Sequence, residues 1–89
     1  MYREARWTDW SEDHNRRHDV AAGEVEQVLF SRARWIAKGR DGTTLVFGST
    51  TSGRPLLVVT VDEGSGVAFV VTAREMTEQE KRTYRRKAR

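Results

Sequence analysis

The chain has 89 residues, 37% of them hydrophobic, no cysteine and a formal net charge of +3. That length holds a single domain, expected to span residues 1–89, with a modest core that buries about 60–65% of the unfolded surface; it leaves no room for a large cofactor and a separate substrate domain. Without cysteine there is no disulfide framework, thiol nucleophile or cysteine-ligated zinc, and the apolar segments 56–61 and 67–71 are too short to cross a bilayer.

In chain order, Arg3, Glu4 and Arg6 ahead of Trp7 do not make the apolar core of a signal peptide, so a cytoplasmic protein with no membrane partner is expected. Trp7, Trp10 and the residues between them read as a first strand or extended arm. Ser11 followed by Glu12, Asp13 and His14 then reads as a helix start, its acidic first turn suited to the helix dipole, and that helix should stop near Asp19. Val20, Val25, Val28 and Leu29 form an apolar stripe at helical spacing and predict a second helix, weakened at its first turn by Gly23.

From Arg34 the pattern changes to strands broken by turn residues at 39–42, 52–55 and 63–66. The segments 34–38, 43–50, 56–62 and 67–74 predict an antiparallel meander, with Pro55 tolerated at a strand start and Gly64, Ser65 and Gly66 in a hairpin turn. Strict alternation along 67–74 puts Val67, Phe69, Val71 and Ala73 on a core face and Ala68, Val70, Thr72 and Arg74 on the other. Thr77 followed by Glu80 is a capping box that opens a final helix with a thin apolar face, Met76 and Tyr84. The expected class is α+β: an antiparallel sheet with two N-terminal helices and a C-terminal helix, helices covering one sheet face and leaving the other open.

Charge is unevenly placed. Residues 1–30 carry four basic and seven acidic side chains, whereas residues 74–89 carry seven basic and three acidic. A basic end on a small domain suits a polyanion such as nucleic acid, or equally a solvated helix face. Thr72 and Arg74 would stand beside Lys81, Arg82, Arg85 and Arg86, a cluster able to grip phosphate and offset charge that develops on it; the competing use of Arg74 is an ion pair with a carboxylate such as Glu80. His14 and His18 lie four apart, yet no third ligand is evident and Asn15 breaks the HExxH pattern, so neither metal nor cofactor is expected. RNA cleavage by the ribose 2′-hydroxyl would need a cation, a proton acceptor and a proton donor, and Tyr84, His18, Glu80 and Lys81 are the groups able to move protons. Phosphate-binding, dinucleotide-binding and esterase glycine motifs are absent.

Several stretches, taken together in order and spacing, resemble the BrnT family of bacterial toxins, which share the small ribonuclease fold of RelE-type toxins. Trp10, the run His14-Asn15-Arg16-Arg17-His18-Asp19-Val20 and Glu24-Val25-Glu26-Gln27-Val28-Leu29 look like that family's N-terminal helix pair. Gly53-Arg54-Pro55-Leu56 with Val58-Val59 looks like its Gly-Arg-x-Leu strand, and Thr72-Ala73-Arg74-Glu75-Met76-Thr77, with Glu80 and Tyr84 beyond, looks like its Ser/Thr-Ala-Arg segment. Ser11 and Asp19 depart from the family's usual Asp and Gly; a Gly at 19 would permit a left-handed helix end, a conformation Asp can also adopt. The resemblance implies a metal-independent endoribonuclease toxin with RNA as substrate and a cognate antitoxin as partner. Arg54 and Arg74 would then bind phosphate, Thr72 donate a hydrogen bond, and His18 or Tyr84 move a proton, with Lys81, Arg82, Arg85 and Arg86 holding RNA. A non-catalytic nucleic-acid or protein binding module using the same basic surface is the alternative.

Overall fold

The computed structural model describes residues 2–7 and 19–88. Its elements are β1 (Glu4–Arg6), α1 (Ala22–Leu29), β2 (Trp35–Lys38), a 3-10 turn (Arg40–Gly42), β3 (Thr43–Ser49), β4 (Pro55–Asp62), β5 (Val67–Glu75) and α2 (Glu78–Lys87). Strands β2 to β5 fall within a residue of the segments expected from turn chemistry, and Pro55 opens β4 as anticipated. The class is α+β. The helix expected from Ser11 lies outside the described residues, so α1 is the N-terminal helix that the structure describes.

The five strands form one sheet in the order β1-β5-β4-β3-β2. An all-antiparallel sheet was expected; instead β1, three residues earlier than the Trp7 segment suggested, runs parallel to β5 and pairs Glu4 with Val67 through Arg6 with Phe69. The carbonyl of Gly66 accepts from the backbone N–H of Arg3 at 2.8 Å and Arg3 Nε donates to the Ser65 carbonyl at 2.7 Å, which ties this edge to the hairpin loop. The loop itself holds Gly64, Ser65 and Gly66 at φ of 85°, 53° and 80°.

Alternation places two apolar clusters on opposite sides of the sheet. Val25, Val28 and Leu29 of α1 pack with Val46, Leu56, Val58, Ala68, Val70 and Ala73. On the reverse side Phe47, Leu57 and Met76 pack with Trp35, Ala37, Leu45, Val59 and Tyr84 of α2, and the Trp35 and Phe47 rings stack with centroids 4.4 Å apart. The two described helices therefore cover opposite faces, in place of the one-sided cover expected.

The expected alternation of β5 is overturned at one point. Val59 pairs with Thr72 but Thr60 pairs with Val70, so Val71 is an extra residue in β5 and forms a bulge. Ala68 and Val70 face α1 before the bulge, and Ala73 faces it afterwards. Thr72 and Arg74 are thereby turned to the face of α2.

Close approach of α1 rests on Gly48, which is buried: a Cβ there would lie 3.0 Å from Val28 Cγ1 and 3.5 Å from the Val28 carbonyl oxygen. Asp19 adopts φ 57°, the left-handed conformation that leads the chain toward α1. Gly48→Val should destabilise the protein by about 1–3 kcal/mol through overpacking. Gly23→Ala, where a Cβ meets nothing within 4 Å, should instead gain about 0.5–1 kcal/mol of helix propensity. Urea midpoints measured on both variants check the pair; equal midpoints would remove the close contact from the account.

Candidate functional site

The end of the sheet formed by the close of β3, the start of β4 and the close of β5 carries two arginines with different surroundings. Arg54, in the β3–β4 turn, is drawn to the α1 side. Its Nη1 donates to the Asp19 carbonyl at 2.7 Å and to both Glu24 carboxylate oxygens, at 3.0 and 3.2 Å, while its Nε donates to Glu75 Oε1 at 2.9 Å. Burial works against the Arg54 charge, but hydrogen bonding to Glu75 and Glu24 outweighs it and raises the pKa. Glu24 is held below the usual carboxylate range, first by the Ala21 N–H it caps and then by Arg54.

Arg74 leans the other way. Its Nη1 and Nη2 donate to Glu80 Oε1 and Oε2 at 2.8 and 2.9 Å, a bidentate pair, and Nη1 also reaches the Glu75 carbonyl at 3.0 Å. Its side chain remains 40% exposed. Glu80 also completes the capping box read from the sequence: its Oε1 accepts from the Thr77 N–H at 2.8 Å while Thr77 Oγ1 accepts from the Glu80 N–H at 3.2 Å. Hydrogen bonding to Arg74 is the largest cause holding the Glu80 carboxyl below its ordinary range, and it raises the Arg74 pKa in turn. Glu80 Oε2 accepts from Arg74 alone among the described hydrogen bonds, so one lone pair stays available.

Arg54 and Arg74 take different carboxylates, Glu24 of α1 and Glu80 of α2, and meet at Glu75, whose carboxylate accepts from Arg54 and whose carbonyl accepts from Arg74. The structure brings Thr72, Arg74 and Glu80 together on the α2 side, with Thr72 half-buried two residues before Arg74. Lys81 is half-buried and pairs with Glu78 Oε1 at 3.0 Å, whereas Arg82, Arg85 and Arg86 stand exposed on the outer surface of α2. Tyr84 packs inward, and its hydroxyl donates to the Ala33 carbonyl at 2.9 Å. His14 and His18 lie outside the described residues, and no group of three potential metal ligands occurs among the described ones. Nor is any described helix long and apolar enough to cross a membrane.

Beside Tyr84 an open cleft of about 780 Å³ runs between α1 and α2 over the end of β3. Glu26, Gln27 and Phe30 form one wall, Ala33 and Tyr84 the other, and Ser49, Thr50 and Thr51 the floor. Among the described residues, Phe30, 44% exposed, and Ile36, 39% exposed, are the large apolar side chains left open to solvent. Sequence reasoning missed Gln27 and Phe30; their spacing of three along a helix, with Phe30 just beyond the apolar stripe, was the signal available.

No protein-family model matches this sequence, and no curated protein matches it either. Among solved structures, the chain is similar to the crystal structure of the Brucella abortus ribonuclease toxin BrnT, with a TM-score of 0.68 and 14% identity. The similarity covers 84% of this chain and 97% of that one. The fold expected from the sequence resemblance is therefore present.

A pH dependence follows from Glu80 and Glu24. Their folded pKa values lie below the unfolded ones, so their contribution is complete above the ordinary carboxylate pKa of about 4.3 and is lost as pH falls through the depressed folded values. Urea midpoints should fall as pH drops below about 5, and Glu80→Gln should be less stable at pH 7 yet lose less on acidification. An acid limb in Glu80→Gln as steep as that of the parent protein would show that this pair does not carry it.

Proposed function

We propose that this protein is a metal-independent endoribonuclease toxin, cleaving RNA until a partner protein neutralises it. The observation that carries the reading is the Arg74–Glu80 pair: a cation able to meet a phosphodiester, joined to an ionised carboxylate with an open lone pair, on a fold that a ribonuclease toxin shares. In the reaction the ribose 2′-oxygen attacks the adjacent phosphorus, Glu80 Oε2 takes the 2′-hydroxyl proton, and the 5′-oxygen leaves with a proton from solvent. Arg74 offsets the charge that grows on the phosphoryl oxygens, and Thr72, about 7 Å along the strand, offers a hydroxyl to the same group. Arg82, Arg85 and Arg86 hold the flanking RNA backbone by charge, which makes binding salt-dependent.

The engagement of Tyr84 with Ala33 assigns it a positioning role, and Arg54, tied to Asp19, Glu24 and Glu75, fixes the sheet end on which Arg74 stands. The same ion pairing is what a non-catalytic RNA-binding module would show, so cleavage must be measured directly.

Purified protein should cut single-stranded RNA in the presence of chelator. Arg74→Ala should slow cleavage by about 10²–10³-fold, and Arg74→Lys, which keeps the charge but loses the bidentate fork, should fall between. Melting curves separate this from loss of fold. RNA that is bound with steep salt dependence but left intact would hand the assignment to the binding module.

A neutralising partner should present acidic side chains to Arg82, Arg85 and Arg86 and an apolar contact to Phe30 or Ile36. Co-expression with the product of the adjacent gene should give one peak in size-exclusion chromatography and suppress RNA cleavage. Separate elution at micromolar concentration with undiminished cleavage would exclude that product as the antitoxin.

A further inference from the structure

We propose that the cleft between α1 and α2 receives one unpaired RNA base, with guanine preferred, next to the scissile phosphate. The inference rests on the ribonuclease reading and adds to it a base-selecting subsite that shares Tyr84 with that reading but neither Arg74 nor Glu80.

Three features of the cleft fit a nucleobase. Phe30 and Tyr84 put aromatic surface on opposite walls, and Phe30 is a large apolar side chain that the described residues leave 44% exposed. Splayed RNA bases are held by stacking on such rings and read along their hydrogen-bonding edges. Gln27 supplies part of the edge recognition. Its Oε1 accepts from the Thr51 N–H at 3.0 Å and from the Thr51 hydroxyl at 3.2 Å, which fixes the amide and leaves both Nε2 protons as donors. Glu26, the neighbouring wall residue, supplies an acceptor-only carboxylate.

A carboxylate and an amide donor lining one cleft match guanine, whose N1–H and N2–H donors lie side by side next to the O6 acceptor. Glu26 can accept from the two donors while Gln27 donates to O6. Adenine, cytosine and uracil lack two adjacent donors flanked by an acceptor, so each leaves part of this edge unsatisfied.

The placement also suits the cleavage site. Tyr84 and Glu80 are four residues apart on one side of α2, a rise of about 6 Å. A base against Tyr84 thus sits about one nucleotide from a phosphate held by Arg74. Arg85 and Lys87 stand exposed near Tyr84 on the same helix and are available to the backbone on the other side of the base.

The test is binding of 5′-mononucleotides, which have no scissile linkage, followed by amide chemical shifts on the intact protein. GMP should shift Gln27, Phe30, Thr51 and Tyr84 saturably and bind several-fold more tightly than AMP, CMP or UMP. Phe30→Ala should weaken GMP about tenfold and Phe30→Trp should restore it. Glu26→Gln should remove the preference for GMP over AMP while keeping the stacking contribution. Arg74→Ala, defective in cleavage, should still bind GMP in the cleft, so failure of the subsite and failure of the cleavage assignment are separate results. Equal binding of all four nucleotides, shifts confined to the outer arginines, or unchanged GMP affinity in Phe30→Ala would each overturn the proposal.

Discussion

The arrangement of the sheet end depends on one extra residue. Val71 bulges out of β5 between the Thr60–Val70 and Val59–Thr72 pairs, and every side chain after it changes side. Without the bulge, Arg74 would point at α1 and Ala73 at α2, exchanging a charge for a methyl group in the larger apolar cluster. An uncompensated guanidinium there would be costly, whereas the observed register gives Arg74 both a carboxylate and partial exposure. Bulges that re-aim a side chain beside a working surface are a recurring device of β-sheets.

The bulge also marks where the sequence stops being readable. Strand limits and the α2 cap were legible because they are local: turn glycines, a proline and a Thr-x-x-Glu pattern act within a few residues. The parallel pairing of β1 depends on a partner more than sixty residues away, and the facing of β5 on a single slip in register, neither of which alternation can reveal. Within the candidate site, Thr72 and Arg74 were placed on one side correctly, yet on the wrong one relative to Ala68 and Val70. Glu80 was visible as both a cap and a possible ion-pair partner, and in the structure one carboxylate does both.

Arg54 and Arg74 show how position separates two residues of one type. Arg54 commits Nε and Nη1 to a backbone carbonyl and two carboxylates from three different parts of the chain, and so fastens the turn before α1 to the ends of β4 and β5. The left-handed turn at Asp19 presents the carbonyl that Arg54 takes. Arg74 has a single carboxylate partner and a more open side chain. A phosphate competing for Arg74 has one pair to displace; at Arg54 it would have to dismantle a network.

The hydroxyl of Tyr84 on the Ala33 carbonyl spans 51 residues. It joins α2 to the connection between α1 and β2, and Arg74 likewise waits for Glu80 of the same helix. The contact across 51 residues, unlike the local Arg74–Glu80 pair, forms late, after closure of the loop between its ends. During synthesis the sheet can assemble as β2 to β5 leave the ribosome, but the carboxylate beside Arg74 and the second aromatic wall of the cleft arrive only with α2. A nascent chain interrupted before that helix would hold a folded sheet and an incomplete candidate site, so the order of synthesis itself leaves Arg74 without its carboxylate until α2 has been made.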